Sequence, residues 1–330
     1  MINVPLRVPD DPSIWITVPP QGYGGIQWIV ANLIDGLLHM GYKIFLLGAP
    51  GSLAHNPALT VVDVGEPKDI YSWLVQNNID VIHDHSNGIV PLTELGRPFV
   101  STHHLTGSPK IRENAIYSSY AQRDQAGSRE APVVRIPINP SRYLYRRDKE
   151  NFLLALCRIS PWKGVKEAAQ FSQAANIPLR IAGPSWEPEY FEEIFSTYGE
   201  CVEYLGEVGG IERLTLLANA RAVLVLSQNT DGPWGERWCE PGATVVSEAS
   251  VSGTPIISSD NGCLAEITPH VGVVITGSEP VSKLQAQQIM AGLPSPPIVR
   301  KTAIKEWGHV KIAQLYSNIY DEVIKGRQWH

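Results

Sequence analysis

Short runs rich in Val, Ile and Leu alternate along this chain with stretches whose apolar residues recur at helical spacing, and this alternation limits the fold more than any other feature. KIFLLG (43–48), VIHDH (81–85), FVSTHH (99–104) and VVRIPI (133–138) make up a first set of runs. A second set comprises FLLALCRI (152–159), LRIAG (179–183), VEYLG (202–206), AVLVLS (222–227) and TPIISS (254–259). Apolar strands alternating with helices build parallel sheets covered on both faces. Between the sets, NPSRYLYRRDKEN (139–151) is polar, charged and preceded by Pro137, as a connector would be. With 330 residues the chain suits two domains. The prediction is an α/β protein of two Rossmann-like domains, 1–145 and 146–307, whose parallel sheets face across a cleft, with a last helix in 308–330. Ligands of such sheets bind outside the carboxyl ends of the strands.

Composition removes several classes of function. A net charge of -6 without basic blocks argues against nucleic acid and anionic membrane surfaces as partners. The cysteines Cys157, Cys201, Cys239 and Cys263 are scattered and form no C-x-x-C pair, so neither a zinc site nor a disulfide framework is expected, and a reducing, cytoplasmic setting fits. The start, MINVPLRVPDDP, lacks a charged-then-apolar leader, and no apolar run approaches the roughly 18 residues of a membrane span.

Three local patterns carry chemistry. Upstream of a helix with apolar residues at Ile26, Ile29, Val30, Leu33, Leu37 and Leu38 stands Gly22-Tyr23-Gly24-Gly25. Glycines let the backbone approach a ligand, and a helix N-terminus attracts phosphate; a turn that merely joins strand to helix would read the same. In the second domain, CRISPWKG sets Arg158 and Lys163 on a strand-to-helix loop, where a forked guanidinium and a point charge can share one multiply charged anion such as a diphosphate. Solvated surface charges are the plainer reading of the pair.

The third pattern is WCEPGATVVSEA, 238–249. Pro241 suits the first position of a helix, which would put Glu240 at the entrance and Glu248 about two turns in. The small, uncharged residues around Glu248 describe a buried helix, and a buried carboxylate needs compensation. Ribose hydroxyls would supply it. Glu240 could equally serve the helix dipole alone. His83-Asp84-His85 invites a metal reading, but on a strand His83 and His85 project to one face and Asp84 to the other, and no third ligand follows at suitable spacing, so no metal is expected.

Taken together, CRISPWKG, the E-x7-E formed by Glu240 and Glu248, and SGTPIISSDNGCLAEI resemble the retaining nucleotide-sugar glycosyltransferases of family 4, which have the GT-B fold. The likeness extends through PPQGYGGIQW, IDVIHDH, STHH, LGEVGG and WGHV. It implies metal-independent transfer from a UDP- or GDP-sugar to an acceptor hydroxyl on a small molecule, glycan or lipid-linked acceptor, with no cofactor beyond the donor itself. Arg158 and Lys163 then match the diphosphate ligands, Glu248 the ribose carboxylate and Glu240 the contact to the donor sugar. Gly24 and Gly25 match the loop facing the phosphates, Gly206 and Val208 the surroundings of the base, and His103 the active-site histidine, with His104 as second choice. His83, His85, His104 and Tyr23 fall on the acceptor side. The same plan also hosts sugar-nucleotide epimerases and non-catalytic binding proteins. Asn261-Gly262-Cys263 departs from the Gly-Gly pair frequent in relatives, and the loop TDGPWGERW is longer than usual, its tryptophans shaping sugar selectivity or simply packing.

Overall fold

The computed structural model describes residues 1–3, 7–8, 11–22, 24–86, 88, 90–106, 113–232, 235–277 and 279–330. The chain divides into two compact units, Met1–Asn139 with Trp307–His330, and Pro140–Glu306.

In the first unit the strands are β1 (Ile2–Asn3), β2 (Arg7–Val8), β3 (Asp11–Trp15), β4 (Ile44–Gly48), β5 (Leu59–Asp63), β6 (Ile82–Asp84), β7 (Phe99–His103) and β8 (Ala115–Tyr117). β2 and β3 pair as an antiparallel ribbon, and the rest form one parallel sheet in the order β5-β4-β1-β6-β7-β8. The short β1 lies inside this sheet, where Ile2 pairs with Leu46 on one side and His83 on the other. Helices α1 (Gly25–His39), α2 (Pro67–Gln76) and α3 (Tyr120–Ala126) belong to this unit. The apolar stripe expected on α1 is its core face: Ile29, Val30, Leu33, Ile34 and Leu37 are all buried.

The second unit contains β9 (Leu153–Leu156), β10 (Leu179–Ala182), β11 (Val202–Tyr204), β12 (Ala222–Val225), β13 (Ile256–Ser259) and β14 (Gly272–Ile275). They form a parallel sheet in the order β11-β10-β9-β12-β13-β14. Around it run α4 (Val165–Ala175), α5 (Pro188–Tyr198), α6 (Gly210–Asn219), α7 (Thr244–Val251), α8 (Leu264–Ile267), α9 (Lys283–Ala291) and α10 (Pro296–Trp307). Both sheets reverse their order beside their first strand, the doubly wound arrangement in which ligands bind where the order reverses.

The last helix, α11 (His309–Ile324), returns to the first unit and packs on α1. Gly36 is the point of closest approach, since a Cβ there would lie 2.5 Å from the carbonyl oxygen of His309. Beyond α11, the Trp329 indole N–H donates to the Ala115 carbonyl at 2.6 Å, and the Asn114 N–H donates to the Trp329 carbonyl at 2.9 Å.

One expected strand is absent. Residues 133–138 make only single bridges, Val133 to Tyr117 and Ile138 to Gly308, because Pro132 and Pro137 remove ladder donors on either side. The sheets take instead β5, β8 and β14, short runs whose partly exposed or interrupted apolar pattern conceals them. Among the described residues no helix is long and apolar enough to cross a membrane.

Candidate active site

In the second unit, the order reverses between β9 and β12. The chain leaving β9 stays zipped to its neighbour past the end of the strand: the Cys157 N–H donates to Ala182 and the Ile159 N–H to Pro184. Gly183 permits this contact, since a Cβ on it would lie 2.0 Å from the Cys157 carbonyl oxygen. The Gly183 N–H in turn donates to Gly206 at 2.8 Å, so the loops after β9, β10 and β11 lie side by side. Arg158 thus stands next to Trp186, its guanidinium 3.7 Å from the centre of the indole. Val208, two residues beyond Gly206, is buried.

After Arg158 the chain makes one 3-10 turn, Pro161–Lys163, and Gly164 closes it at φ 67. A Cβ on Gly164 would lie 1.7 Å from the Leu226 carbonyl oxygen. Only glycine lets the turn carrying Lys163 press against the chain leaving β12.

Lys163 meets Glu240 there. Its ammonium donates to both carboxylate oxygens, at 2.7 Å and 3.0 Å. The Ser227 hydroxyl and the Trp238 indole N–H donate to the same oxygen, Oε2, at 2.7 Å and 3.0 Å. Glu240 is 5% exposed. Burial by itself would raise its carboxyl, but the Lys163 charge and the hydrogen bonds from Lys163, Ser227 and Trp238 outweigh this and hold it below the usual carboxylate value.

Glu240 does not begin the helix as Pro241 suggested. α7 starts at Thr244, after Ala243 has turned through the left-handed region at φ 43. Segment 238–240 is instead pinned to the turn after β13: Asn261 donates to the Trp238 carbonyl and accepts from the Glu240 N–H, and the Cys263 N–H donates to the Glu240 carbonyl. Gly262 tolerates this closeness because it has no Cβ to strike the Glu240 backbone, 2.4 Å away. Asn261 and Gly262 therefore have a defined role, holding segment 238–240 in place.

Glu248 on α7 is buried, as its neighbours predicted, but it is not a lone charge. Arg213 on α6 pairs with its Oε2, and the Tyr143 hydroxyl donates to Oε1 at 3.1 Å. Sequence reasoning missed Arg213, Tyr143 and Ser227, and it singled out Trp238 and Asn261 without their contacts to Glu240. Ser227 was accessible to it, as the first polar residue after β12 at the point of reversal; the others meet their partners through loops whose course no periodicity reveals.

In the first unit, Gly24 caps α1 at φ 157 and Gly25 opens it; Tyr23 lies outside the described residues. The face alternation read from His83-Asp84-His85 holds. The rings of His83 and His85 lie 4.0 Å apart, while Asp84 accepts from Asn3, Ser86, Gly88 and Ser101. His83 is enclosed between the Tyr320 hydroxyl at 2.6 Å and the Thr102 hydroxyl at 2.7 Å. His85 and His104 share a hydrogen bond of 2.8 Å, and His103, at the end of β7, stacks on Tyr117. Burial, reinforced by neighbouring histidines, pulls His83 and His85 well down and His104 to about 3. Among the described residues no group of three or more His, Cys, Asp or Glu is arranged to hold a metal ion.

Comparison with known proteins bears on this geometry. Residues 142–286 match the family model described as Glycosyl transferases group 1. No curated protein matches the chain. Among solved structures, AviGT4, a glycosyltransferase involved in avilamycin A biosynthesis, is 52% identical, with a TM-score of 0.94 over 100% of this chain and 98% of that one; the stretch GPWGERWCEPGATVVSEA already resembles such an avilamycin-type transferase. Sucrose-phosphate synthase from Thermosynechococcus elongatus is 16% identical, TM-score 0.73, covering 99% of both chains. Anabaena Alr3699/HepE in complex with UDP-glucose is also 16% identical, TM-score 0.66, covering 97% of this chain and 99% of that one. These two share the fold, the GT-B class of α/β protein expected from the sequence. With half its residues identical to AviGT4 over the whole length, and with the group 1 model spanning the reversal point of its second sheet, this chain belongs to the group 1 glycosyl transferases.

Proposed function

We propose that this glycosyltransferase moves a sugar from a UDP- or GDP-sugar to an acceptor hydroxyl, retaining the anomeric configuration and using no divalent metal. One observation carries the reading: at the reversal point of the second sheet, Lys163, on the loop after β9 that also bears Arg158, is held against Glu240 from the segment between β12 and α7. An ammonium has three protons. Two are directed at Glu240, and the third is available to a phosphate oxygen. Arg158 offers a planar fork to the same diphosphate. Ala243 gives α7 no side-chain cap, so the amides of its first turn are suited to an anion.

In this scheme the bond between the anomeric carbon and the diphosphate oxygen breaks while Arg158 and Lys163 stabilise the charge that develops on the leaving group. The acceptor oxygen bonds to the same face of that carbon, and its proton passes to a leaving phosphate oxygen, so no protein base is needed. Glu240 Oε1 accepts from a hydroxyl of the donor sugar, and Glu248 is assigned to the ribose, with Gly206 and Val208 beside the base. On the first unit the reading assigns Gly24 and Gly25 to the phosphates, His103 to the reacting sugar, and His83, His85 and His104 to the acceptor side. The UDP-glucose of the Anabaena protein is a ligand of the class proposed.

A thermal-shift panel of nucleotide sugars tests donor binding, because a ligand of the folded state raises its apparent stability. Transfer to an acceptor hydroxyl, retention seen by NMR of the product, and a rate unchanged by chelator are the expected results. Arg158→Ala should lose about a hundredfold in turnover together with the donor-induced shift. An altered nucleotide sugar formed without acceptor would mean an epimerase, and binding without turnover a carrier; either overturns the proposal.

A further inference from the structure

Trp238 touches both members of the Lys163–Glu240 pair. Its indole N–H donates to Glu240 Oε2 at 3.0 Å, and the Lys163 ammonium lies 4.4 Å from the centre of its ring. The residue is 7% exposed and packs against Trp162, ring centres 6.3 Å apart and planes tilted by 45°. Its backbone is held on both sides: the N–H donates to Thr230 at 2.8 Å and the carbonyl accepts from Asn261 at 3.0 Å. A Cβ on Gly232 would lie 3.0 Å from the indole, so the ring is also bounded from the loop before it.

We propose that Trp238 is a positioning residue for the transfer, one rigid side chain that fixes the sugar-facing carboxylate of Glu240 through its N–H and the diphosphate-facing ammonium of Lys163 through its ring. The inference rests on the functional reading above and goes beyond it, since the tryptophan itself touches no reacting atom. The two contacts act differently. A ring face attracts a cation without cancelling its charge, so Lys163 is restrained yet keeps its affinity for phosphate. An N–H donated to Oε2 takes up a lone pair there and leaves Oε1, which Lys163 alone contacts among the described residues, as the acceptor for a sugar hydroxyl. The rigid indole thereby fixes the distance between the two charged groups before the donor arrives, which saves ordering them on binding.

The chemistry separates the two contacts. Trp238→Phe keeps a ring beneath Lys163 and removes the N–H; Trp238→Leu removes both. The phenylalanine variant is expected to lose about tenfold in kcat with donor KM within about twofold of wild type. The acidic limb of its kcat/KM profile should move to higher pH, because Glu240 loses a donor that favours its charged form. The other ionisable groups facing this carboxylate are Lys163, Cys157 and Cys239, and burial holds the two thiols up at about 12 and about 11, outside that limb. The leucine variant should in addition raise donor KM and weaken binding of the nucleoside diphosphate product, as Lys163→Met is also expected to do. If the phenylalanine variant folds poorly, 3-benzothienylalanine at position 238 keeps the shape of the indole and lacks the N–H, and it should reproduce the fall in kcat and the shifted limb. A folded phenylalanine or benzothienyl enzyme with wild-type kcat and an unmoved limb overturns the inference while leaving the transferase reading intact. A wild-type enzyme that turns over no nucleotide sugar overturns both.

Discussion

Arg213 and Glu248 form an ion pair between α6 and α7 whose side chains are only 12% and 2% exposed. Removing one partner leaves a charge buried without compensation, which costs about 3–5 kcal/mol. Arg213→Met is therefore expected to lose stability on that scale in urea denaturation. Tyr143→Phe, which removes the neighbouring hydroxyl from the same carboxylate, should cost about 1–2 kcal/mol. Equal losses in the two variants would contradict this division of roles.

Gly164 admits no side chain. Its φ of 67 disfavours any residue with a Cβ, and the Leu226 carbonyl occupies the space that atom would need. Gly164→Ala should destabilise the second unit by more than about 2 kcal/mol and displace Lys163, so that calorimetry shows a lowered Tm and donor binding falls in the same variant. A variant with wild-type Tm would show that the turn can move.

Ala243 is the opposite case, a residue with a Cβ in a left-handed conformation, φ 43, at the cap of α7. That conformation costs about 1–2 kcal/mol, which glycine avoids at the expense of a more flexible unfolded chain. Ala243→Gly is expected to stabilise by up to about 1 kcal/mol, read as a higher midpoint in urea. A fall in the midpoint would refute the account.

Acid should weaken the first unit before it protonates Glu240, whose carboxyl is held below the usual carboxylate value. Burial, and after it the neighbouring histidines, hold His83, His85 and His104 below 6.5 when folded. The unfolded chain therefore binds more protons below about pH 6.5, so the stability these residues permit is complete above that value and falls as pH drops, down to about 3 for His104. Each contributes a slope of about 1.4 kcal/mol per pH unit. Proton uptake on unfolding near pH 5, measured by calorimetry in buffers of different ionisation enthalpy, should decrease by about one proton in His104→Gln. Unchanged uptake would mean that His104 is charged in the folded protein.

The fold was legible because its signals are local. Runs such as AVLVLS and the apolar stripe of α1 state their structure in a few neighbouring residues, and Gly41 and Gly253 mark the ends of helices they follow. Residues 133–138 show the limit, since a β-branched composition was read as a strand although the flanking prolines remove the donors that a ladder needs. At the candidate site, Arg158, Lys163, Glu240 and Glu248 stood out because charges in apolar or glycine-rich surroundings need an explanation. What compensates them was hidden. Arg213 lies 35 residues from Glu248, and Asn261 lies 21 from Glu240; such partners are joined by loop geometry, which leaves no periodic trace in the sequence. The start of α7 was misplaced for the same reason, because the bonds of Asn261 and Cys263 to the Glu240 backbone outweighed the helix-initiating tendency of Pro241.

The contact of Gly36 with His309 and the hydrogen bond from Trp329 to Ala115 also set an order of events during synthesis. The stretch Pro140–Glu306 is contiguous and can consolidate as soon as it has left the ribosome. The amino-terminal sheet emerges earlier yet lacks its covering helix until residues 309–324 have followed the second unit. The half made first is thus completed last, and its uncovered α1 face is what a nascent-chain chaperone would have to shield in the interval.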